Sequence, residues 1–208
     1  MDKKQLKKDK LKAKRQKQIL TASMKVFSRY GYQNTDVEKI AGLAGLGKGT
    51  VYRYFETKQN LFLSTLEWGY NSLRKEIFDA TEKIDDYLDR VKIVLYTYLR
   101  FFEKNRNFYR LLIQERVWAE VESAGWKWKE KQLSQIEHIE NILTEGIREG
   151  YFKKVDPESC AYALWGLINS LLYKWLISEK RYPIKKELSV VQKTFFEGIL
   201  NEKKRRKK

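Results

Sequence analysis

The residues with the most to offer chemically lie close together. Gly47-Lys48-Gly49-Thr50 is followed by Tyr52, Arg53 and Tyr54, and then by Lys58. This set holds cations, a hydroxyl and two phenols. The two glycines remove side-chain bulk where backbone must come close to a partner. Lys48 supplies a charge and Thr50 a hydroxyl. Tyr52 and Arg53 point outward if Val51 and Phe55 point inward. Donors grouped this way suit a polyanion, with phosphates to position it and base edges to read. Thr35, slightly upstream, adds a further hydroxyl.

Catalytic chemistry has little support. The single histidine, His138, lies between Glu137 and Glu140 with no H-E-x-x-H pattern and no second histidine. It reads as part of a solvated charged helix face. The glycines from Gly45 to Thr50 lack the order of a phosphate-cradling P-loop. The single cysteine, Cys160, excludes an intrachain disulfide and a cysteine-based zinc site. It reads as a small buried residue rather than a thiol sensor. No enzyme activity, metal or cofactor is expected.

The elements that position the donors follow from apolar spacing. Ile19, Leu20, Ser23, Val26, Phe27 and Tyr30 form one helical face, and Gly31 stops that helix. Thr35-Asp36-Val37-Glu38 has the form of a capping box, with Thr35 as cap of a second helix. Val37, Ile40, Ala41 and Ala44 make its inner stripe, and Gly45 permits a left-handed turn. A third short helix covers Gly47 to Phe55. Thr57 can cap a fourth, from Lys58 to about Ala80. Two short helices joined by a tight glycine turn and braced by a preceding helix make a helix-turn-helix layout. Five more helical stretches follow, over 85–104, 106–119, 122–149, 157–179 and 186–203. Asp156-Pro157-Glu158 starts the fourth of these. With only two prolines in 208 residues, the chain reads as all-α.

The net charge of +16 is unevenly placed. Residues 1–17 carry +7, residues 201–208 carry +5 and residues 18–60 carry +3, whereas 61–200 carry only +1. Basic ends beside a small basic region point to nucleic acid first and an anionic membrane surface second. The first 17 residues read equally as a flexible DNA-contacting arm or as a helix extension or disordered tail. No apolar run is long enough to cross a bilayer, and no apolar stretch follows the N-terminal lysines as a signal peptide would require. A cytoplasmic location is the expectation.

The segment from Gly31 to Lys58 resembles the DNA-binding signature of TetR-type transcriptional regulators. The glycines, the core positions, Tyr52-x-Tyr54-Phe55 and Lys58 agree in order and spacing over residues 15–65. The resemblance implies an N-terminal three-helix DNA-binding domain at 15–60, preceded by a basic arm at 1–14. It implies a larger effector-binding and dimerisation domain at 61–200, before a basic tail at 201–208. It assigns DNA contacts to Thr35, Lys48, Gly49, Thr50, Tyr52, Arg53, Tyr54 and Lys58. Two positions depart from the pattern. Asp36 stands where a second hydroxyl is common, and Gly47 where serine is common, which leaves the reading helix without a side-chain cap.

The implied partners are a palindromic double-stranded DNA operator, a second copy of the chain and a small-molecule effector, without a membrane. Leu164, Leu167, Ile168, Leu171, Leu172 and Trp175 make an apolar stripe, with Ala163, Gly166 and Ser170 allowing close approach. That stripe serves either a dimer or the protomer's own core. Phe195, Phe196, Ile199 and Leu200 lean towards the dimer. Tyr70, Tyr98, Phe102, Trp118 and Trp165, with Asn169 and Tyr173 as polar handles, suggest a mainly hydrophobic effector such as a fatty-acyl compound. The expected role is a repressor released by that effector. The alternative is a basic helical protein that binds nucleic acid or an anionic membrane surface without ligand control.

Overall fold

The computed structural model describes residues 3–119, 125–178 and 182–199. Side chains at 3–4, 87–88, 115–119 and 125–135 lie outside the described set. Ten α-helices follow one another: α1 Lys3–Tyr30, α2 Val37–Leu43, α3 Lys48–Phe55, α4 Lys58–Thr81, α5 Tyr87–Lys104, α6 Arg106–Ala119, α7 Gly125–Arg148, α8 Pro157–Ile177, α9 Lys185–Val191 and α10 Glu197–Ile199. A π-helical turn, Gln192–Phe196, joins the last two. There is no β-strand among the described residues, so the chain is all-α as its spacing predicts. The continuous last helix expected over 186–203 is instead broken by that π turn. The N-terminal segment, left open between arm and helix, is helical from Lys3.

The chain divides into two compact units. One comprises Met1–Arg74 with Asn107–Glu115; the other comprises Lys75–Arg106 with Arg116–Lys208. In the first, α1 buries Ile19, Ala22, Val26 and Phe27, α2 buries Val37, Ile40 and Ala41, and α3 buries Val51 and Phe55. Phe27 meets Phe62 of α4 edge-on at 4.9 Å, and Tyr32 lies 5.1 Å from Phe62. Buried hydroxyls are satisfied locally: Ser23 donates to the Ile19 carbonyl at 2.8 Å and Thr65 to the Leu61 carbonyl at 2.7 Å. Gly69 lies mid-helix in α4, where glycine costs about 1 kcal/mol against alanine. The Phe108 ring occupies the space its Cβ would fill, and Tyr70 meets the same ring edge-on at 5.5 Å.

The turns are made as their residues demand. Gly31 ends α1 at φ +72°, its N–H bonded to the Phe27 carbonyl. Gly45 sits at φ +65° between α2 and α3. The cap of α2, however, is Asp36: its carboxylate accepts the Glu38 N–H at 2.9 Å. Thr35 does not cap. Its hydroxyl is buried and donates to the Gly31 carbonyl at 2.6 Å. The turn out of α1 carries Thr35 inward, so the next oxygen-bearing side chain takes the cap. Gly47 caps α3 without a side-chain bond. Glu56 takes φ +58° in a tight turn, its neighbour Thr57 bonding back to the Phe55 carbonyl. Thr57 then caps α4 through Asn60.

In the second unit α7 packs on α8, and α9 on α5 and α8. Asp86 caps α5 and Asp156 caps α8, with Pro157 at the first turn. Bonds from the Ser159 side chain and N–H hold the Asp156 carboxyl below its ordinary value. Along α8, Leu164, Ile168, Leu172 and Trp175 are buried in their own protomer. Ala163, Gly166 and Ser170 face solvent, as do Tyr162, Tyr173 and Ile177. One helix thus presents a core face and an open face. Phe196 packs on Phe152 at 6.1 Å and is buried within the protomer; Leu200 lies outside the described residues. The Arg106 guanidinium stacks 4.5 Å over Trp175 and donates to the Leu176 carbonyl. Cys160 is only half-buried, with burial and then Asp156 raising its thiol pKa.

Candidate nucleic-acid interface

The site is built on α3, whose packing fixes what it displays. Val51 and Phe55 anchor it in the core, four residues apart. The same rotation leaves Lys48, Gly49 and Arg53 exposed, with Thr50, Tyr52 and Tyr54 half-buried at the edge. A Cβ at Gly47 or Gly49 would meet nothing within 4 Å, and neither has a positive φ. Nothing inside the protein calls for glycine there. The lack of bulk serves whatever approaches from outside.

The electrostatics around α3 are set by α2. The Lys48 ammonium stands 3.8 Å from an Asp36 carboxylate oxygen and 3.8 Å from a Glu38 carboxylate oxygen. The carboxylate that caps α2 therefore also faces the first residue of α3. Lys58, at the start of α4, donates to the Gln33 carbonyl at 3.0 Å and lies 4.9 Å over the Tyr32 ring. Thr35 is the one nominated donor held beneath the surface. The Asp36–Lys48 pair escaped a reading by spacing, because a capping box names its hydroxyl first. The Tyr32–Lys58 stack has no signature at a separation of 26 residues.

The nominated effector residues divide between the units. Tyr70 belongs to the first, where burial raises its phenol pKa. In the second, Tyr98 meets Phe102 at 5.0 Å and Trp165 at 6.3 Å, so three of the nominated aromatics come together. The Asn169 side chain donates to the Trp165 carbonyl at 2.8 Å. Tyr173 is exposed on α8. The Trp118 side chain lies outside the described residues. Among the described residues, no group of His, Cys, Asp and Glu could hold a metal ion, and no helix is long and apolar enough to cross a membrane.

Comparison with known proteins agrees with this geometry. A sequence profile described as "Bacterial regulatory proteins, tetR family" matches residues 19–65. A second, described as "Tetracyclin repressor-like, C-terminal domain", matches residues 85–178. The chain is 27% identical over 179 residues to YhgD, an uncharacterised HTH-type transcriptional regulator of Bacillus subtilis strain 168, covering 81% of this chain and 86% of that one. It is 24% identical over 194 residues to the fatty acid metabolism regulator protein of the same strain, covering 92% and 100%. The structure of the fatty acid degradation regulator FadR from Bacillus halodurans superposes with a TM-score of 0.75 at 20% identity, covering 87% and 94%. At that identity the likeness is one of fold.

Proposed function

The chain belongs to the TetR family of bacterial regulatory proteins, and from this premise we propose that it is a repressor that binds a palindromic operator as a homodimer and lets go when a hydrophobic effector binds. It is a DNA-binding transcription regulator and not an enzyme. The observation that carries the reading is the surface of α3. There Lys48, Thr50, Tyr52, Arg53 and Tyr54 line an edge whose two glycines have no internal purpose.

Each donor takes a role in this proposal. Gly49 lets the start of α3 approach the floor of the major groove. Lys48 and Arg53 meet base-edge acceptors or phosphates, while Thr50, Tyr52 and Tyr54 donate from the rim. Lys58 reaches a phosphate from the first turn of α4, where free amides already favour an anion. Thr35 acts from below by fixing the loop that delivers Asp36.

The open face of α8 supports the dimer. Ala163, Gly166 and Ser170 leave room for a close helix, with Tyr162, Tyr173 and Ile177 as apolar contacts. Two such subunits hold their reading helices at a half-site spacing of ~34–36 Å. The effector site is proposed around Tyr98, Phe102 and Trp165, with Asn169 as polar neighbour. Tyr70, Trp118 and Tyr173 remain candidates. A fatty-acyl effector is supported by this aromatic group and by the name of the B. subtilis relative. Release requires that the effector prefer the dimer state that binds DNA poorly, and the coupling is reciprocal. The proposed location is the cytoplasm.

The test is selection of bound duplexes from a random pool, followed by release with long-chain acyl thioesters and free fatty acids. Enrichment of one inverted repeat, bound by a dimer and released by the acyl compound, supports the proposal. Recovery of unrelated sequences, or binding by a single subunit, overturns it.

A further inference from the structure

α1 is longer than its core requires. It begins at Lys3, yet its first buried side chain is Ile19. Between them the described side chains are exposed or half-buried. The segment is helical on composition, with no glycine, proline or β-branched residue from Lys3 to Gln18. Its charges oppose that preference, because Lys8–Lys12 and Lys10–Lys14 are like-charge pairs at i,i+4. A cationic helix with nothing packed on it gains most from a polyanion laid alongside.

The charges are also ordered. Lys7, Lys10, Lys14, Lys17, Thr21 and Lys25 recur at intervals of three or four residues and share one face. At 1.5 Å per residue they form a ridge about 27 Å long. The only carboxylate in α1, Asp9, lies off the ridge and accepts from Gln5 at 3.0 Å. None of the five lysines makes an ion pair with a described residue, in contrast to Lys48. The C-terminal half of the ridge lines a concavity of about 390 Å³, with Leu43 and Ala44 at the end of α2 as the opposite wall. The ridge belongs to the same compact unit as α3.

We propose that this face of α1 is a second phosphate-binding surface, which follows the backbone of duplex DNA flanking the operator half-site. The inference rests on the DNA-binding reading above. Double-stranded DNA is favoured because the ridge is straight, long and preorganised. One strand offers a phosphate every ~3.4 Å of axis, so every ridge lysine finds one within reach. Contacts of this kind carry no sequence information and add affinity that depends on flank length and salt.

The experiment uses the full chain and four duplexes: the selected operator alone, the operator with about one extra helical turn on each side, and scrambled duplexes of both lengths. The variant is Lys7→Gln/Lys10→Gln/Lys14→Gln/Lys17→Gln, which keeps good helix formers throughout. For the parent, the flanked operator binds more tightly and with a steeper salt dependence than the short one. The variant loses that gain, its log–log salt slope on the flanked duplex falling by ~3–4, and binds the short operator like the parent. Amides of residues 5–17 gain hydrogen-exchange protection on the flanked duplexes only. Equal loss on short and flanked duplexes overturns the proposal, as does no loss on either. Loss of binding to phosphatidylcholine–phosphatidylserine vesicles with DNA binding intact overturns it in favour of a membrane. If no operator is selected, the repressor reading fails by itself, and the scrambled pair still decides the ridge.

Discussion

The ammonium of Lys48 at the start of α3 stands 3.8 Å from the carboxylate of Asp36 that caps α2. One side chain therefore serves two elements. It closes the free N–H of Glu38 and faces the cation that the reading helix carries forward. A hydroxyl in its place caps without charge. The carboxylate, together with Glu38, leaves this corner of the interface less positive than Lys48 alone suggests.

Asp36→Ala removes the cap and lowers stability by about 1 kcal/mol, read as a shift in the urea midpoint. Asp36→Asn keeps a good capping oxygen and removes the charge. It unfolds close to the parent, and it binds scrambled duplex DNA several-fold more tightly at fixed salt.

Lys48→Ala and Tyr52→Phe change stability by no more than about 0.5 kcal/mol, as exposed or rim positions do. Both lose site selection from a random duplex pool. Retained selection with the parent's strength assigns the reading surface elsewhere.

Gly69→Ala places a methyl group against the Phe108 ring. Overpacking of about 1–3 kcal/mol outweighs the helix-propensity gain, so the variant melts earlier. Gly42→Ala is the control. It lies within α2 with nothing within 4 Å of its Cβ, and it raises stability by up to about 1 kcal/mol.

Glu187 is a buried carboxylate that accepts from Lys174 at 2.9 Å and from the Tyr182 hydroxyl at 2.6 Å. Desolvation, then the hydrogen bond and charge of Glu187, push the Tyr182 phenol up to about 12. An unfolded tyrosine titrates near ~10. The raised folded value means this contribution is whole below about pH 10 and lost as pH climbs through about 12. Tyr182→Phe flattens that part of the stability–pH profile and lowers stability at neutral pH, the bond to a carboxylate being worth roughly 1.5–3 kcal/mol. Denaturant titrations at pH 8, 10 and 11.5 check both.

Helices and turns were legible because each is written locally. Apolar spacing placed α1 to α8 within a few residues, and Gly31, Gly45, Thr57 and Asp156-Pro157 marked ends that the structure keeps. The break after Val191 was not legible, since a π turn inserts one residue without a propensity signal. The cap of α2 was misread for a related reason. Thr35 and Asp36 are both good caps by type, and the loop after Gly31 buries one hydroxyl and leaves the neighbouring carboxylate at the helix end.

The chain by itself determined the all-α fold, the glycine-turn pair of short helices and the list of donors on α3, because periodicity and turn chemistry need only near neighbours. Tertiary structure decided which donors reach the surface, that Lys48 faces two carboxylates and Lys58 a ring, that α8 divides into a core face and an open one, and that the lysines of α1 align on a rigid helix. Those relations join residues from different turns or different helices. They depend on how side chains fill shared space, and no local pattern encodes that.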